Sequence, residues 1–421
     1  MVVTLGAEIK SKSKIKSKSK GWSEMSAWFF RGVLLLACFV GRSEAAGAVR
    51  VFVLAGQSNM QGHAHVRTLP HLSSEPETAE MLSRIQNVGD TFQMVDGVWI
   101  SSLQNDGERS GPLGVGFGAN EEKIGPELGF GLRMRELVDG PVVLIKTAWG
   151  GKSLHTDFRS PSGGAYVFND NELARLKQNG KSVADARRAK DEATGHYYRL
   201  MIDHVKGTLR NLGNVFPDYP RGEDYHLAGF VWFQGWNDMV DRGVYPDRDK
   251  AGGYDMYSEL LAHFIRDVRR DLNSPELPFV IGVFGVGGPV EDYPPGQKRY
   301  AGIHSHFRNA MLAPSVLPEF SGNVAAVKTE LYWDSELTRL RGLESAARNR
   351  FNQWKKDKDL ARKELQDAQE RFFAEGLTAE ERETLRLGVS NAEYHYLGSS
   401  KIMVKIGMGF ADAVHGLTKA K

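Results

Sequence analysis

Four short segments of the chain hold the residue types that acyl transfer requires. Gly56-Gln57-Ser58-Asn59-Met60 follows an apolar run, and a serine just past a strand, beside a glycine that lets the backbone turn, presents its hydroxyl at the mouth of a sheet. Alone, such a turn is usually structural; its weight comes from the residues at the ends of the later apolar runs. Ala148-Trp149-Gly150-Gly151 supplies a glycine pair, where a backbone N–H can come close to a bound oxygen as an oxyanion donor must. Gln234-Gly235-Trp236-Asn237-Asp238 adds two amide side chains, and Tyr394-His395-Tyr396 adds a late histidine. In chain order these read as nucleophile (Ser58), donors (the N–H groups of Ser58 and Gly151, an amide of Gln234 or Asn237) and base (His395).

Positioning such residues on one rim requires a parallel sheet. Five runs rich in Val, Ile and Phe, at Val49–Ala55, Val142–Thr147, Ala228–Phe233, Phe279–Phe284 and Val324–Lys328, read as strands buried on both faces. Helical periodicity fills the gaps at Glu127–Leu137, Tyr197–Leu212, Tyr254–Leu272, His304–Leu312 and Ser400–Val414. Strand–helix alternation predicts an open, doubly wound α/β sheet, whose ligands bind beyond the carboxyl ends of the strands, where three of the segments fall, the late histidine standing in a loop ahead of a helix. Residues 60–125, polar and Gly-rich, read as a long loop region, with room for minor strands. Residues 335–387 read as a charged helical insertion with one apolar stripe through Leu337, Leu340, Ala347, Phe351 and Phe372, and Thr378-Ala379-Glu380-Glu381 has the form of a capping box.

Taken together, the blocks resemble those of the SGNH-hydrolase superfamily, in its sialate O-acetylesterase and carbohydrate-esterase branch. The likeness covers most of residues 49–334 and 389–416. It implies a flavodoxin-like three-layer α/β/α fold with a five-stranded, mainly parallel sheet, metal-free and cofactor-free ester hydrolysis, and an acetylated carbohydrate as substrate. Two positions depart from the branch. Trp236 stands where an acidic residue is usual, and Ala392 stands where the last block, Asp-x-x-His, would place the acid that orients the base. Glu393 on the same extended segment, or Asp334 after the fifth strand, are the candidate replacements, and a Ser–His dyad held by a backbone carbonyl is the third option. Gln57, Trp149, Asp157, Arg159 and Trp236 are candidate contacts to the sugar; Trp232, inside a strand, reads as core. Glu127 opens a helix, where its carboxylate meets the helix dipole, so capping competes with a substrate role.

The formal charge is +2, of which residues 1–45 hold +5, leaving −3 for the rest. A slightly acidic body gives no electrostatic reason to expect nucleic acid as a partner. The Lys/Ser repeat, the apolar run Val33–Val40 and the small residues Ser43–Ala48 are the three parts of an export signal, with cleavage after Ala45 or Ala48. The division is then 1–45 signal and 46–421 esterase domain, exported to the periplasm or beyond, with no integral span in the mature chain. Lipid anchoring at Cys38, the only cysteine, is the alternative. His63, His65, His304 and His306 lack the spacing of a zinc site. Two rival readings stand beside the esterase: a lipase or thioesterase of the same superfamily, and a non-catalytic carbohydrate-binding protein with a weakened triad.

Overall fold

The computed structural model describes residues 48–87, 91–219, 225–356, 358 and 360–419. The expected export signal and Cys38 lie outside the described residues. Among the described residues nine strands form, in chain order: β1 Val49–Gly56, β2 Ala64–His65, β3 Val98–Gln104, β4 Gly107–Pro112, β5 Lys123–Ile124, β6 Val142–Ala148, β7 Tyr225–Phe233, β8 Phe279–Val283 and β9 Val324–Lys328. Seven make the main sheet, in the order β4-β3-β6-β1-β7-β8-β9, and all neighbours are parallel except β3 and β4. The fold is mixed α/β with helices on both faces of this sheet, and the five expected strands are all present. The two extra strands correct the strand count. They arise from the stretch read as loop, where β3 and β4 form a hairpin across Asn105-Asp106, with Gln104 paired to Gly107. β4 is polar and largely exposed, so it carries none of the apolar signal that marks the inner strands.

β1 is central. After β1 the chain builds β3 and β6 on one side of it, then crosses to β7, β8 and β9 on the other. The carboxyl end of β1, where Ser58 follows, is therefore the topological switch point, the crevice that open α/β sheets use for ligands. Alternation along β7 sorts its side chains between the two helical layers. Trp232 lies 4.3 Å from Phe264 of helix Asp255–Asp271, while Phe233 lies 5.3 Å from Phe410 of helix Ser400–Lys419. Helix Ser400–Lys419 shares its face with helix Pro126–Leu137, and glycine makes their close crossing possible. A Cβ on Gly129 would lie 2.1 Å from the carbonyl oxygen of Val404, and one on Gly407 would lie 2.1 Å from that of Pro126.

Residues 335–388 form three helices, Ser335–Lys355, Arg362–Gly376 and Ala379–Gly388. The first is capped by Asp334, whose Oδ1 accepts from Leu337 N at 2.9 Å, and the last opens on the capping box of Thr378 and Glu381. Leu337 joins the main core, whereas Leu340, Leu377 and Leu385 form a small cluster of their own. No helix among the described residues is long and apolar enough to cross a membrane.

Candidate active site

Close backbone approach brings the ends of three strands together. Gln57 N donates to Phe233 O at 3.3 Å and Trp149 N to Gly56 O at 3.2 Å. Gly56 permits this packing, since a Cβ there would sit 2.1 Å from the Phe233 oxygen. The chain then enters the short helix Ser58–Gln61, so Ser58 occupies its first position, with an N–H that no intrahelical acceptor can reach. Gly150 follows β6 beside it; a Cβ on Gly150 would lie 3.8 Å from the Ser58 Cβ. Gly151 takes φ +76°, in open space. The N–H groups of Ser58 and Gly151 have no acceptor among the described residues. Two unengaged amides beside a serine hydroxyl are the raw material of an oxyanion hole.

The amide of Asn237 is oriented by Gln57. Gln57 Oε1 accepts from the backbone N–H of Gly235 at 3.1 Å and of Asn237 at 3.4 Å, which fixes it as the oxygen. Its Nε2 must then donate, and it does so to Asn237 Oδ1 at 3.1 Å. Asn237 is left with an NH₂ that no described residue accepts. Gln57 is 1 % exposed, so it acts as a brace for Asn237 rather than as the sugar contact expected of it. Gln234 also departs from expectation. Its Nε2 is spent on Asp238 at 2.6 Å, Gln57 Oε1 at 3.1 Å and Lys152 O at 3.1 Å, leaving Asn237 as the side-chain donor of this pair.

Asp238 ties the two loops together. Its buried carboxylate accepts from the N–H groups of Leu154 and His155 and from Gln234 and the Tyr245 hydroxyl, while burial pushes its pKa up. The glycine loop after β6 and the amide segment after β7 thereby hold one relative position.

His395 arrives from the segment Glu393–Gly398. Its ring lies 4.0 Å from that of His63 and within 4° of parallel, which sets it beside the chain leaving the Ser58 helix. Its Nδ1 is 3.1 Å from Asn391 Oδ1, and that oxygen also accepts from Ala392 N at 2.8 Å. Because the Ala392 N–H can only donate, the Asn391 atom is the oxygen, and His395 carries its proton on Nδ1. Nε2 is left with a free lone pair, the state a general base needs. Burial, with the charge of Lys123 adding to it, lowers the His395 pKa to about 4, and burial with His395 next to it lowers that of His63 to about 3. Both rings are neutral at pH 7. The segment is held under tension: Tyr396 (φ 51°) and Leu397 (φ 61°) are left-handed and buried, with the Tyr396 hydroxyl bonded to Gly285 N at 2.8 Å and to Thr329 at 2.6 Å.

Neither carboxylate expected to orient His395 does so. Glu393 points into a neighbouring cavity and accepts from Gln297 at 3.5 Å. Asp334, besides capping its helix, pairs with Lys401 at 2.6 Å and with His71 at 3.5 Å. The position three before His395 is indeed empty of an acid, and the partner sits one residue earlier, as a neutral amide. Trp149 is 3 % exposed and packs on Phe158 and Tyr197, so it is core rather than a sugar platform. Asp157 bonds Ser153 N and Oγ at 2.8 and 2.9 Å, and Arg159 caps the carbonyls of Gly163, Gly164 and His155, so both staple their own loop. Trp236 is half-buried on the rim and lines a cavity beside Tyr394. Trp232 is fully buried. Glu127 is fully buried, in an ion pair with Lys146 at 2.6 Å, and accepts from Gly125 N at the start of its helix. The four histidines part company, with His304 bonded to the Tyr293 hydroxyl and His65 facing Glu122.

Among known families, the one described as carbohydrate esterase, sialic acid-specific acetylesterase matches residues 48–294. Two solved structures are also similar. A protein of Arabidopsis thaliana is 15% identical with a TM-score of 0.35, over 67% of this chain and 86% of that one. A carbohydrate acetylesterase from Xanthomonas citri is 13% identical with a TM-score of 0.36, over 67% of this chain and 49% of that one. No curated protein matches.

Proposed function

Since the chain belongs to the sialic acid-specific acetylesterase family of carbohydrate esterases, we propose that it is a serine esterase removing O-acetyl groups from a carbohydrate through Ser58 and His395. Nε2 of His395 takes the Ser58 proton as Oγ attacks the acetyl carbonyl. The oxygen that becomes negative is held by the N–H groups of Ser58 and Gly151 and by Nδ2 of Asn237, each such donor being worth about 3 kcal/mol of barrier. His395, now protonated, gives that proton to the departing sugar oxygen. Water, deprotonated by the same nitrogen, then releases acetate from Ser58.

The observation that carries this reading is the bracing of Asn237 by Gln57. A buried glutamine that receives two backbone N–H groups and dictates which end of a neighbouring amide faces the open rim serves little purpose unless a developing anion is to be met there. The half-buried pairing of His395 with Asn391 supports the same reading, because it selects the basic tautomer. Acetate release from 4-nitrophenyl acetate and acetylated oligosaccharides tests the proposal, with Ser58→Ala beside the parent. Serine-dependent release is expected; turnover retained in a folded Ser58→Ala protein overturns the scheme. Export is proposed from the basic segment, apolar run and small-residue exit of residues 1–48, and N-terminal sequencing of the exported protein should begin at Ala46 or Val49.

A further inference from the structure

A base that takes the serine proton becomes an imidazolium, and no described anion stands where it would meet that charge on His395. In the ring plane is the neutral Asn391, while Glu393 faces a neighbouring cavity and Asp334 is paired with Lys401. Burial and the ammonium group of Lys123 both oppose protonation of the ring. Two aromatic rings complete its surroundings. Tyr394 meets it edge-on at 4.5 Å, and His63 covers one face at 4.0 Å, within 4° of parallel.

His63 is fixed from both sides. Before it, Gly62 turns at φ +92°, so close to Gly125 that a Cβ would lie 2.2 Å from the Gly125 Cα, and the Gly62 N–H donates to Ser58 O at 2.9 Å. After it, Ala64 and His65 pair with Ile124 and Lys123. The His65 N–H also donates at 3.0 Å to Ser390 Oγ, on the loop that leads to His395. A ring set this firmly would ordinarily be tied by its nitrogens, yet those of His63 bond no described residue. Its face is what it offers. Burial, His395 and the ammonium groups of Lys123 and Lys146 hold the His63 pKa at about 3, so the ring is uncharged at neutral pH. A planar cation lying on an uncharged aromatic face is stabilised by it.

We propose that His63 is a positioning residue for the base: its ring holds the plane of His395 and receives the imidazolium on its π face, taking the part that an in-plane carboxylate plays in a Ser–His–acid triad. The inference rests on the esterase reading above and deepens it. Its test is 4-nitrophenyl acetate turnover by the full chain. His63→Leu is similar in bulk but has no π face, and it should lower kcat about ten-fold with KM unchanged. His63→Phe restores a flat π face and should return kcat to within about two-fold of the parent. Asn391→Asp supplies an in-plane charge, so adding His63→Leu to it should cost about two-fold or less, the two substitutions being coupled through one ring. Equal kcat in His63→Leu and His63→Phe, whether high or low, overturns the proposal, as does an undiminished loss in the Asn391→Asp background. Should His63→Leu not fold, His63→Ala takes its place in each comparison. Should the parent not turn over the ester, the esterase reading fails, and NMR titration of the His395 ring still decides the stack. Its pKa should then lie about one unit lower in His63→Leu than in His63→Phe, and equal values overturn the proposal.

Discussion

Asn391 Oδ1 lies 3.1 Å from Nδ1 of His395, one residue ahead of the position where an orienting acid is expected. A neutral amide fixes the tautomer as a carboxylate does, but it adds no charge to stabilise the imidazolium. With burial opposing protonation, the histidine pKa settles at about 4. The acid limb of kcat/KM is therefore expected near pH 4, with activity level from there to neutral pH. Asn391→Asp should move that limb upward by about 1–3 units, as an adjacent opposite charge does. Asn391→Ala frees the ring and should lower kcat by about 10²–10⁴, the range over which a positioned base contributes. A pH–rate profile unchanged in Asn391→Asp would remove Asn391 from the site.

Gln57→Glu offers a sharper probe of the oxyanion donor than removing Asn237 itself. A carboxylate still accepts from Gly235 N and Asn237 N, but it can no longer donate to Asn237 Oδ1. Repulsion then turns the Asn237 amide end for end, presenting oxygen to the developing anion. The expected result is a loss of about 10²–10³ in kcat, comparable to deleting an oxyanion donor. Full activity in Gln57→Glu would mean that Asn237 does not face the reacting oxygen.

Much of this arrangement is legible in the sequence, and the exceptions share a cause. Val49–Ala55 and the other inner strands announce themselves because burial on both faces leaves unbroken apolar runs. β4, Gly107–Pro112, is an edge strand with solvent on it, and its sequence records only the Asn-Asp-Gly turn before it. At the site, residue type singles out Ser58, Gly151 and His395 as candidates only in combination, because each alone is usually structural. Gln57 and Gln234 carry the same amide as Asn237, and only the bonds between them decide which one faces outward. Asn391 is invisible for a similar reason: it reaches His395 through two left-handed residues, Tyr396 and Leu397, and a closed loop in which Ser390 N and Asn391 N both bond Leu397 O. Neither turn carries a glycine at those positions to signal it.

Histidines depressed by burial, His204 and His415 among them, make stability depend on pH. His63, His395 and His304 have folded pKa values of about 3, 4 and 4 against an ordinary 6.5. Their unfolded forms bind more protons, so the contribution is complete above pH 6.5 and is lost as pH falls toward 4. The melting temperature should drop steadily from pH 7 to pH 4.5. His63→Phe keeps a flat ring against His395 but cannot be protonated, and it should flatten that slope. A melting temperature constant over the window would show that these rings protonate freely in the folded protein.

The Ser58 helix rests on a buried charge. Lys146 Nζ, on β6, donates to Glu127 at 2.6 Å and to the carbonyls of Gln61 and Phe117 at 2.8 Å each, with neither Lys146 nor Glu127 exposed. Gln61 is the last residue of the Ser58 helix, so this ammonium group anchors its carboxyl end. Lys146→Met would strand the Glu127 carboxylate and orphan two carbonyls, and should cost about 3–5 kcal/mol, the usual penalty for breaking one side of a buried pair. Glu127→Gln added to Lys146→Met removes the stranded charge while keeping an acceptor for Gly125 N, so urea midpoints should recover part of the loss. The two orphaned carbonyls persist in the double variant, and Gln61 is no longer held. Its kcat should therefore stay depressed even as stability returns, because the Ser58 helix has lost its anchor. Equal urea midpoints for the single and double variants would mean that the charge of Glu127 is already neutralised in the native protein, by a proton rather than by Lys146.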